Sequence, residues 1–436
     1  MKKTRTAALR TLSLGVGVAL LATACGSGTD AGEGTDEGNG DATTITWWHN
    51  SNTSPGKDYY DQVVADFEAD NPGVTVEISA MQHDDMITKL DAAFQSGDAP
   101  DVYMERGGGE LAAHVEAGLT KDLSEGSADA ISTIGSAVAG WQVDGKTYGL
   151  PFSMGVVGFW YNKSLFAQAG IETPPATMEE FYVAIDKLKA AGIEPASVGA
   201  GEKWPAAHYW YYFALRECSQ KTLQDGVGTL DFSDPCFVKA GVDLEQLIAA
   251  EPFNAGFLAT PAQKGPTSAS ALLATGKVAM ELAGHWEPGV MQGLTEDKTG
   301  LGDDTGWFPF PAVSGGKGDQ TAVLGGGDAW AVSQDAPDAA VDFVNYLLSD
   351  KVQQGFADND MGLPTNPSAT QYVKDKALAD LLQVRDASPF VQLYFDTAFG
   401  TSVGGAMNDA IALVFASSAT AQDIVDATQA AADAEK

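Results

Sequence analysis

The sequence predicts an α/β protein, and three observations carry that prediction. Short apolar runs alternate with segments whose apolar residues recur at helical spacing, a β-α-β-α-β rhythm that builds a sheet covered by helices on both faces. The 436 residues are 44% hydrophobic and 19% charged, a globular composition with length for about two or three domains. Mean hydropathy is −0.09, and the one long apolar run lies at the extreme N-terminus, which excludes a polytopic membrane protein.

The body elements follow in order. Thr44-Ile-Thr-Trp-Trp48 reads as a strand. Lys57 to Asp70 carries Tyr60, Val63, Val64 and Phe67 at helical spacing, and Asn71-Pro72-Gly73 stops that helix. Val74, Val76 and Ile78 alternate as a second strand. Met86 to Phe94 is helical, Pro100 to Met104 is a short buried strand, and Gly109 to Ala117 is a helix. Near Tyr148-Gly-Leu-Pro-Phe152 the pattern changes, and Val156, Val157, Phe159, Trp160 and Tyr161 begin an apolar strand leading into Asn162-Lys163 and a helix. Pro174-Pro175-Ala-Thr177 precedes a helix with Phe181, Ile185 and Leu188, and Thr177 with Glu180 fits a capping box. A second domain starts here.

In open sheets of this kind ligands collect at the carboxyl ends of strands, and three such ends are polar. The first strand runs into Trp47, Trp48, His49 and Asn50, and the second ends at Gln82, His83, Asp84 and Asp85. The third ends at Glu105 and Arg106, followed by Gly107-Gly108-Gly109. Each residue alone reads equally as a cap or a packed side chain, Asp84 as a helix N-cap. Three coincidences at three strand ends point instead to a binding rim containing His49, Asn50, Asp84, Glu105 and Arg106.

The first segment is an address. Lys2, Lys3, Arg5 and Arg10 precede an apolar stretch through Leu21 and the small residues Ala22, Thr23 and Ala24, so residues 1–24 read as a secretory signal outside the fold. The segment is similar to bacterial lipoprotein signals, which implies cleavage before Cys25 and lipidation of its thiol. It departs from that pattern at Ala22, where Leu is usual, and plain secretion is the other reading. Residues 25–43 form an acidic, Gly-rich tether. From 26 to 43 there are six Gly and five acidic residues, with no basic and no large apolar one. Such a stretch cannot bury enough surface to offset its ordering entropy. A tether between a lipid and a globular body points to work at a membrane surface, with the lipid as the only membrane contact.

Lys and Arg number 25 against 59 Asp and Glu, a net charge of −34. That balance excludes a general nucleic-acid binder and polybasic adhesion to anionic lipid. Cys218 and Cys236 remain after Cys25. In an exported chain an isolated pair reads as a disulfide, closing a loop of about twenty residues and stabilising by roughly 3 kcal/mol. Zinc would need two more ligands, and no nearby His or CxxC supplies them, so neither a metal nor a cofactor is expected.

The stretch from Gly149 to Leu188, with Pro-Phe, Trp-Tyr-Asn-Lys, Leu-Phe, Ala-Gly and Pro-Pro landmarks, resembles the extracellular sugar-binding proteins of ATP-binding-cassette importers, solute-binding protein family 1. Leu272 to Trp286, Gly325 to Ser333 and Met361 to Pro367 resemble the same family in order, so the likeness covers nearly all of residues 44–436. Within it, the His-Asn start, Met-Glu-Arg-Gly-Gly-Gly and Gly-His-Trp-Glu-Pro look most like xylobiose-binding lipoproteins of actinomycetes.

The resemblance implies a two-lobed periplasmic-binding-protein-like fold of type II, with a hinge crossed several times and the ligand enclosed between the lobes. Crossings are expected near Leu150 to Phe152, Phe308 to Val313 and Gly362 to Asn366. Lobe 1 would then hold residues 44–151 and 310–362, and lobe 2 residues 152–309 and 363–436. Helices from Pro337 to Leu348 and from Asp409 to Ala432 would cover the two lobes respectively. Sugar recognition needs flat aromatic faces and paired polar groups in a water-poor site. On the family pattern Trp286 is the stacking platform and Glu105 and Arg106 are polar first-lobe contacts; Gly327 and Asp328 are also expected among the ligand contacts. Lys203 and Trp204 would add to the second lobe, whereas Trp160, Trp210 and Trp330 read as core or hinge packing. The implied partners are an oligosaccharide and the transmembrane subunits of a permease, with the chain a monomer on the extracellular face of the cytoplasmic membrane.

Gly400-Thr-Ser402-Val-Gly404 matches G-x-S-x-G, but a hydrolase elbow is followed by its acid and then its His. All five histidines, His49, His83, His114, His208 and His285, precede Ser402. A glycosidase built from two of the 59 carboxylates, a binding protein for cello- or malto-type sugars, and a lipid-anchored sugar sensor are the alternatives.

Overall fold

The computed structural model describes residues 42–435, so the leader at 1–24, Cys25 and nearly all of the tether expected at 25–43 lie outside the described residues. Thr43 corrects the tether's end: it already pairs with Val74 as the first residue of a strand. In chain order the strands are β1 Thr43–His49, β2 Val74–Ala80, β3 Val102–Glu105, β4 Gln142–Val143, β5 Lys146–Thr147 and β6 Gly149–Val156. Then come β7 Gly158–Asn162, β8 Glu194–Ser197, β9 Val278–Ala283, β10 Thr305–Phe308, β11 Val323–Val332 and β12 Val391–Leu393.

The chain from β1 to β3 forms parallel pairs because helices Gly56–Asp70 and His83–Ser96 carry it back between strands. The sheet has the order β12-β11-β3-β1-β2, with β6 on the other side of β11, and both β3 and β6 run antiparallel to β11. Ile45 and Trp47 of β1, Val102 and Met104 of β3, and Trp330 and Val332 of β11 share one core with Tyr60, Phe67 and Phe343. The second sheet has the order β10-β7-β9-β8. Its faces follow the two-residue period of a strand. Phe159 and Tyr161 of β7 face a core with Phe181, Trp210 and Ile424, and Trp160 between them faces Leu273, Trp307 and Leu381.

Two strands belong to both bodies. At one end of the β6–β11 pair, Leu150, Phe152, Trp330 and Val332 lie in the first core, with the Phe152 and Trp330 rings stacked at 4.2 Å. At the other end, Val156, Val323 and Leu324 pack against second-sheet residues. The apolar run that reads as one strand at 156–161 is therefore two: β6 ends at Val156 and β7 begins at Gly158. The Val157 N–H between them donates to Leu324 O at 2.9 Å. A third segment lies beside the pair, where Met154 N–H donates to Leu363 O at 3.0 Å and Thr365 Oγ1 to Pro151 O at 2.5 Å. Phe310 and Ala322 still pack in the second core, so the side chains change core within β11 rather than at residue 310.

The capping box forms: Glu180 N–H donates to Thr177 Oγ1 at 3.3 Å, and Thr177 N–H to Glu180 Oε2 at 3.4 Å. Helix Asp338–Leu347 packs on the first core. The single helix expected from Asp409 to Ala432 is instead two, Thr401–Phe415 and Ala421–Glu435. Ser417 takes a left-handed φ of 53°, and Thr420 restarts the chain by donating from N and Oγ1 to Asp423 Oδ2 at 2.8 and 2.7 Å. Both helices pack in the second core through Met407, Ile411 and Ile424.

Cys218, ending helix Trp204–Glu217, is bonded to Cys236 in the first turn of helix Pro235–Ala249, a sequence separation of 18. Replacing both cysteines by serine is expected to lower unfolding stability by about 2–4 kcal/mol. Denaturant melts measure the loss, and coincident midpoints for the variant and the oxidised parent would contradict it.

Candidate ligand-binding site

A cavity of about 690 Å³ lies between the carboxyl ends of β1, β2 and β3 on one side and second-sheet segments on the other. It falls within the ~300–1,000 Å³ of small-molecule sites. Asn50 reaches it from the end of β1, Asp84 from the first turn of helix His83–Ser96, and Arg106 from the end of β3. Gln82, not Asp84, caps that helix: its Oε1 accepts from Asp84 N at 2.8 Å and Asp85 N at 3.2 Å. Asp84 lines the cavity, with the Gln82 side chain beside its carboxylate. Burial, together with the Glu202 carboxylate, pushes its pKa up to about 6.

The opposite wall is aromatic. Trp204 begins helix Trp204–Glu217, and Trp286 stands directly before helix Glu287–Leu294. Their rings meet edge to face at 6.1 Å, and neither indole N–H has a partner among the described residues. Trp286 lies over Gly284, where an added Cβ would come within 2.3 Å of its ring. That glycine sets the ring's position, because any side chain would displace it. Lys203, with its Nζ 2.5 Å from Asp409, is an exposed rim residue.

The floor is the strand pair that joins the two cores. Asp328 of β11 is the register partner of Ser153 of β6, and both line the cavity. Ser153 Oγ is 2.7 Å from His285 Nε2, next to Trp286. Burial pushes the pKa of Asp328 up to about 6, against the pull of Arg106. Arg106 itself is ion-paired to Glu110 and lies 3.7 Å from Asp396.

Three residues expected at the rim are placed elsewhere. His49 shares the inward face of Ile45 and Trp47, so strand parity turns it into the first core, 1% exposed and 4.5 Å from the Trp47 ring. Its Nδ1 accepts from Ser51 N–H at 3.2 Å, and burial pushes its pKa down to about 3. Glu105 is fully buried; its carboxylate accepts from the N–H groups of Arg106 and Gly107 and lies 2.8 Å from His114 Nδ1. Gly327 does not line the cavity. It permits close strand pairing, since an added Cβ would lie 1.9 Å from Ser153 O.

The structure adds residues that sequence reasoning missed. Tyr394 and Asp396 follow β12 and line the cavity with Asn408. The His208 ring stacks on Tyr394 at 5.2 Å. Gln263 and Lys264 join from a loop with no regular pattern. Among the described residues, no group of three or more His, Cys, Asp or Glu is arranged to hold a metal ion, and no helix is long and apolar enough to cross a membrane. Ser402 is exposed in the first turn of helix Thr401–Phe415.

Two α/β bodies joined by shared strands, with a polar and aromatic cavity between them, define a two-lobed binding protein. Residues 50–354 match the bacterial extracellular solute-binding protein family, and the chain belongs to it. The diacetylchitobiose binding protein DasA of Streptomyces coelicolor is 26% identical over 395 residues, 87% of this chain and 86% of that protein. A putative binding protein of Brucella abortus is 30% identical over 194 residues, and the match spans only 46% of that protein's length. A structure from a study of xylan utilisation by Caldanaerobius polysaccharolyticus superposes with a TM-score of 0.80 at 25% identity, covering 89% of this chain and 99% of that one. A chitin oligosaccharide binding protein gives a TM-score of 0.80 at 24% identity, covering 91% and 99%.

The histidines provide a test of this arrangement. Burial pushes His208 and His285 down to about 3 and His83 to about 4. Burial also opposes charging of His114, but the hydrogen bond and charge of Glu105 outweigh it and raise its pKa. NMR titration should leave His49, His208 and His285 unshifted between pH 7 and 5, while His114 protonates above 6.5. As pH falls below 6.5 the unfolded chain gains protons that the buried neutral rings refuse. Each such ring therefore removes about 1.4 kcal/mol of stability per pH unit. Titration of His285 near 6.5 in the folded protein would contradict its placement.

Proposed function

We propose that the chain is the ligand-capturing component of an ATP-binding-cassette sugar importer. It is held by a lipid on Cys25 at the outer face of the cytoplasmic membrane, and it delivers xylobiose or a short xylo-oligosaccharide to a permease as a monomer. The observation that carries the proposal is the cavity. The Trp204 and Trp286 rings line one space together with the Asp84 and Asp328 carboxylates. Sugar hydroxyls donate well to carboxylates, and C–H faces of pyranose rings pack on aromatic planes. The contact set is Asn50, Asp84, Arg106, Trp204, Trp286 and Asp328, with Lys203 at the rim.

Xylobiose is supported by the sequence resemblance and by the structural likeness to the protein from the xylan-utilisation study. The likeness to DasA over most of both chains favours a second reading, a chitin-derived disaccharide. The two sugars differ by hydroxymethyl and acetamido groups, so one panel separates them. Calorimetry with xylobiose, diacetylchitobiose, cellobiose and maltose is expected to give single-site binding strongest for xylobiose. Tighter binding of another sugar would replace it, and binding of none would contradict a sugar function. Release of xylose during incubation would point to a glycosidase, and undiminished sugar uptake after deletion would point to a sensor.

Trp286→Ala is expected to weaken binding by roughly 1–3 kcal/mol, the scale of burying an aromatic face, in a protein that stays folded by circular dichroism. Unchanged affinity would remove Trp286 from the site.

A further inference from the structure

We propose that the cavity selects its sugar by charge: it takes neutral oligosaccharides and excludes those bearing a carboxylate or phosphate, with Asp84 and Asp328 setting the exclusion. The proposal rests on the sugar-binding reading above. Among the described residues, each cation lining the cavity lies within 4 Å of a carboxylate. Arg106 is held by Glu110 and lies 3.7 Å from Asp396, Lys203 is 2.5 Å from Asp409, and Lys264 is 3.9 Å from Asp85. The lining histidines are neutral at pH 7, because burial holds His83 near 4 and His208 and His285 near 3.

The carboxylates are not balanced in the same way. Asp84 in helix His83–Ser96, Glu202 in the turn Ala200–Glu202 and Asp328 on β11 line the same space from three separate elements. None of the three has an ion-pair partner among the described residues. Glu202 accepts one backbone hydrogen bond, from Ala262 N–H at 2.7 Å. A bound anion would meet these groups with no lining cation, among the described residues, that lacks a carboxylate within 4 Å, so like charges repel and an unpaired charge keeps its desolvation cost. A neutral polyol meets the same oxygens as acceptors for its hydroxyls. Selection by an unpaired charge acts against the wrong ligand more than it favours the right one.

The test compares ligands of equal size. Calorimetry at pH 7.5 is run with a xylo-disaccharide carrying a C5 carboxylate on its non-reducing sugar, and with the matching neutral C5 carboxamide. A second pair, aldonate and aldonamide at the reducing end, reads the same ratio if C5 substitution hinders entry. The carboxylate is expected to bind roughly 100-fold more weakly than the amide. In the Asp84→Asn, Asp328→Asn double variant, checked for folding by circular dichroism, the gap should narrow roughly tenfold. Equal affinities in the unaltered protein, or an unchanged gap in the folded variant, would overturn the proposal and leave sugar binding standing. If no sugar of either kind binds, the sugar-binding reading fails and this inference fails with it.

Discussion

Close pairing of β6 with β11 is the constraint on which the rest of the structure depends. An added Cβ at Gly325 would lie 2.3 Å from Gly155 O, and one at Gly327 would lie 1.9 Å from Ser153 O. Any side chain there forces the strands apart. Because one end of the pair is packed in the first core and the other against the second sheet, separation would move both bodies. The same pairing sets Asp328 opposite Ser153, Ser153 against His285, and His285 beside Trp286. The cavity floor and the Trp286 ring are thus positioned by one short run of backbone contacts.

Electrostatics then distinguish framework from contact surface. Arg106 and Glu110 form an ion pair between residues of one short segment, and Asp396, arriving from after β12, lies near the guanidinium. Burial opposes the arginine's charge, but these carboxylates more than offset it and hold its pKa above the ordinary range. Glu105 and His114 make a comparable pair behind β3. These groups bind each other, whereas the indole N–H groups of Trp204 and Trp286 have no protein partner. Buried donors without a partner are costly, and the two residues that carry them line the cavity.

Much of the fold was legible because it rests on local periodicity. Alternation in Val74, Val76 and Ile78, helical spacing from Tyr60 to Phe67, and the Thr177–Glu180 box each depend on residues within one turn or strand. The cavity lining was legible where polar residues lie just beyond strand ends, as Asn50, Asp84 and Arg106 do. His49 was misassigned although parity with Ile45 and Trp47 carried the signal. Glu105 shares the buried face of Tyr103 and is committed to His114, a partner nine residues later. Tyr394 and Asp396 left no signal, since they reach the cavity only through pairing of β12 with β11. The Gly107-Gly108-Gly109 run was visible, but its reason was not. Added Cβ atoms at Gly108 and Gly109 would lie 2.8 Å from Thr397 O and Gly400 N, contacts that no local pattern reveals.

That contact and the Arg106–Asp396 approach join the segment after β3 to the segment after β12 beside the cavity. On the proposed function, a ligand enclosed in the cavity would shift the population toward this arrangement by its differential affinity for it. Small-angle X-ray scattering on the body from residue 42 onward, with and without saturating xylobiose, measures that shift most directly. A smaller radius of gyration is expected with sugar, together with a liganded curve matching the one calculated from this structure. Identical curves at saturation, with binding confirmed in the same sample, would mean a rigid cleft and contradict capture by closure.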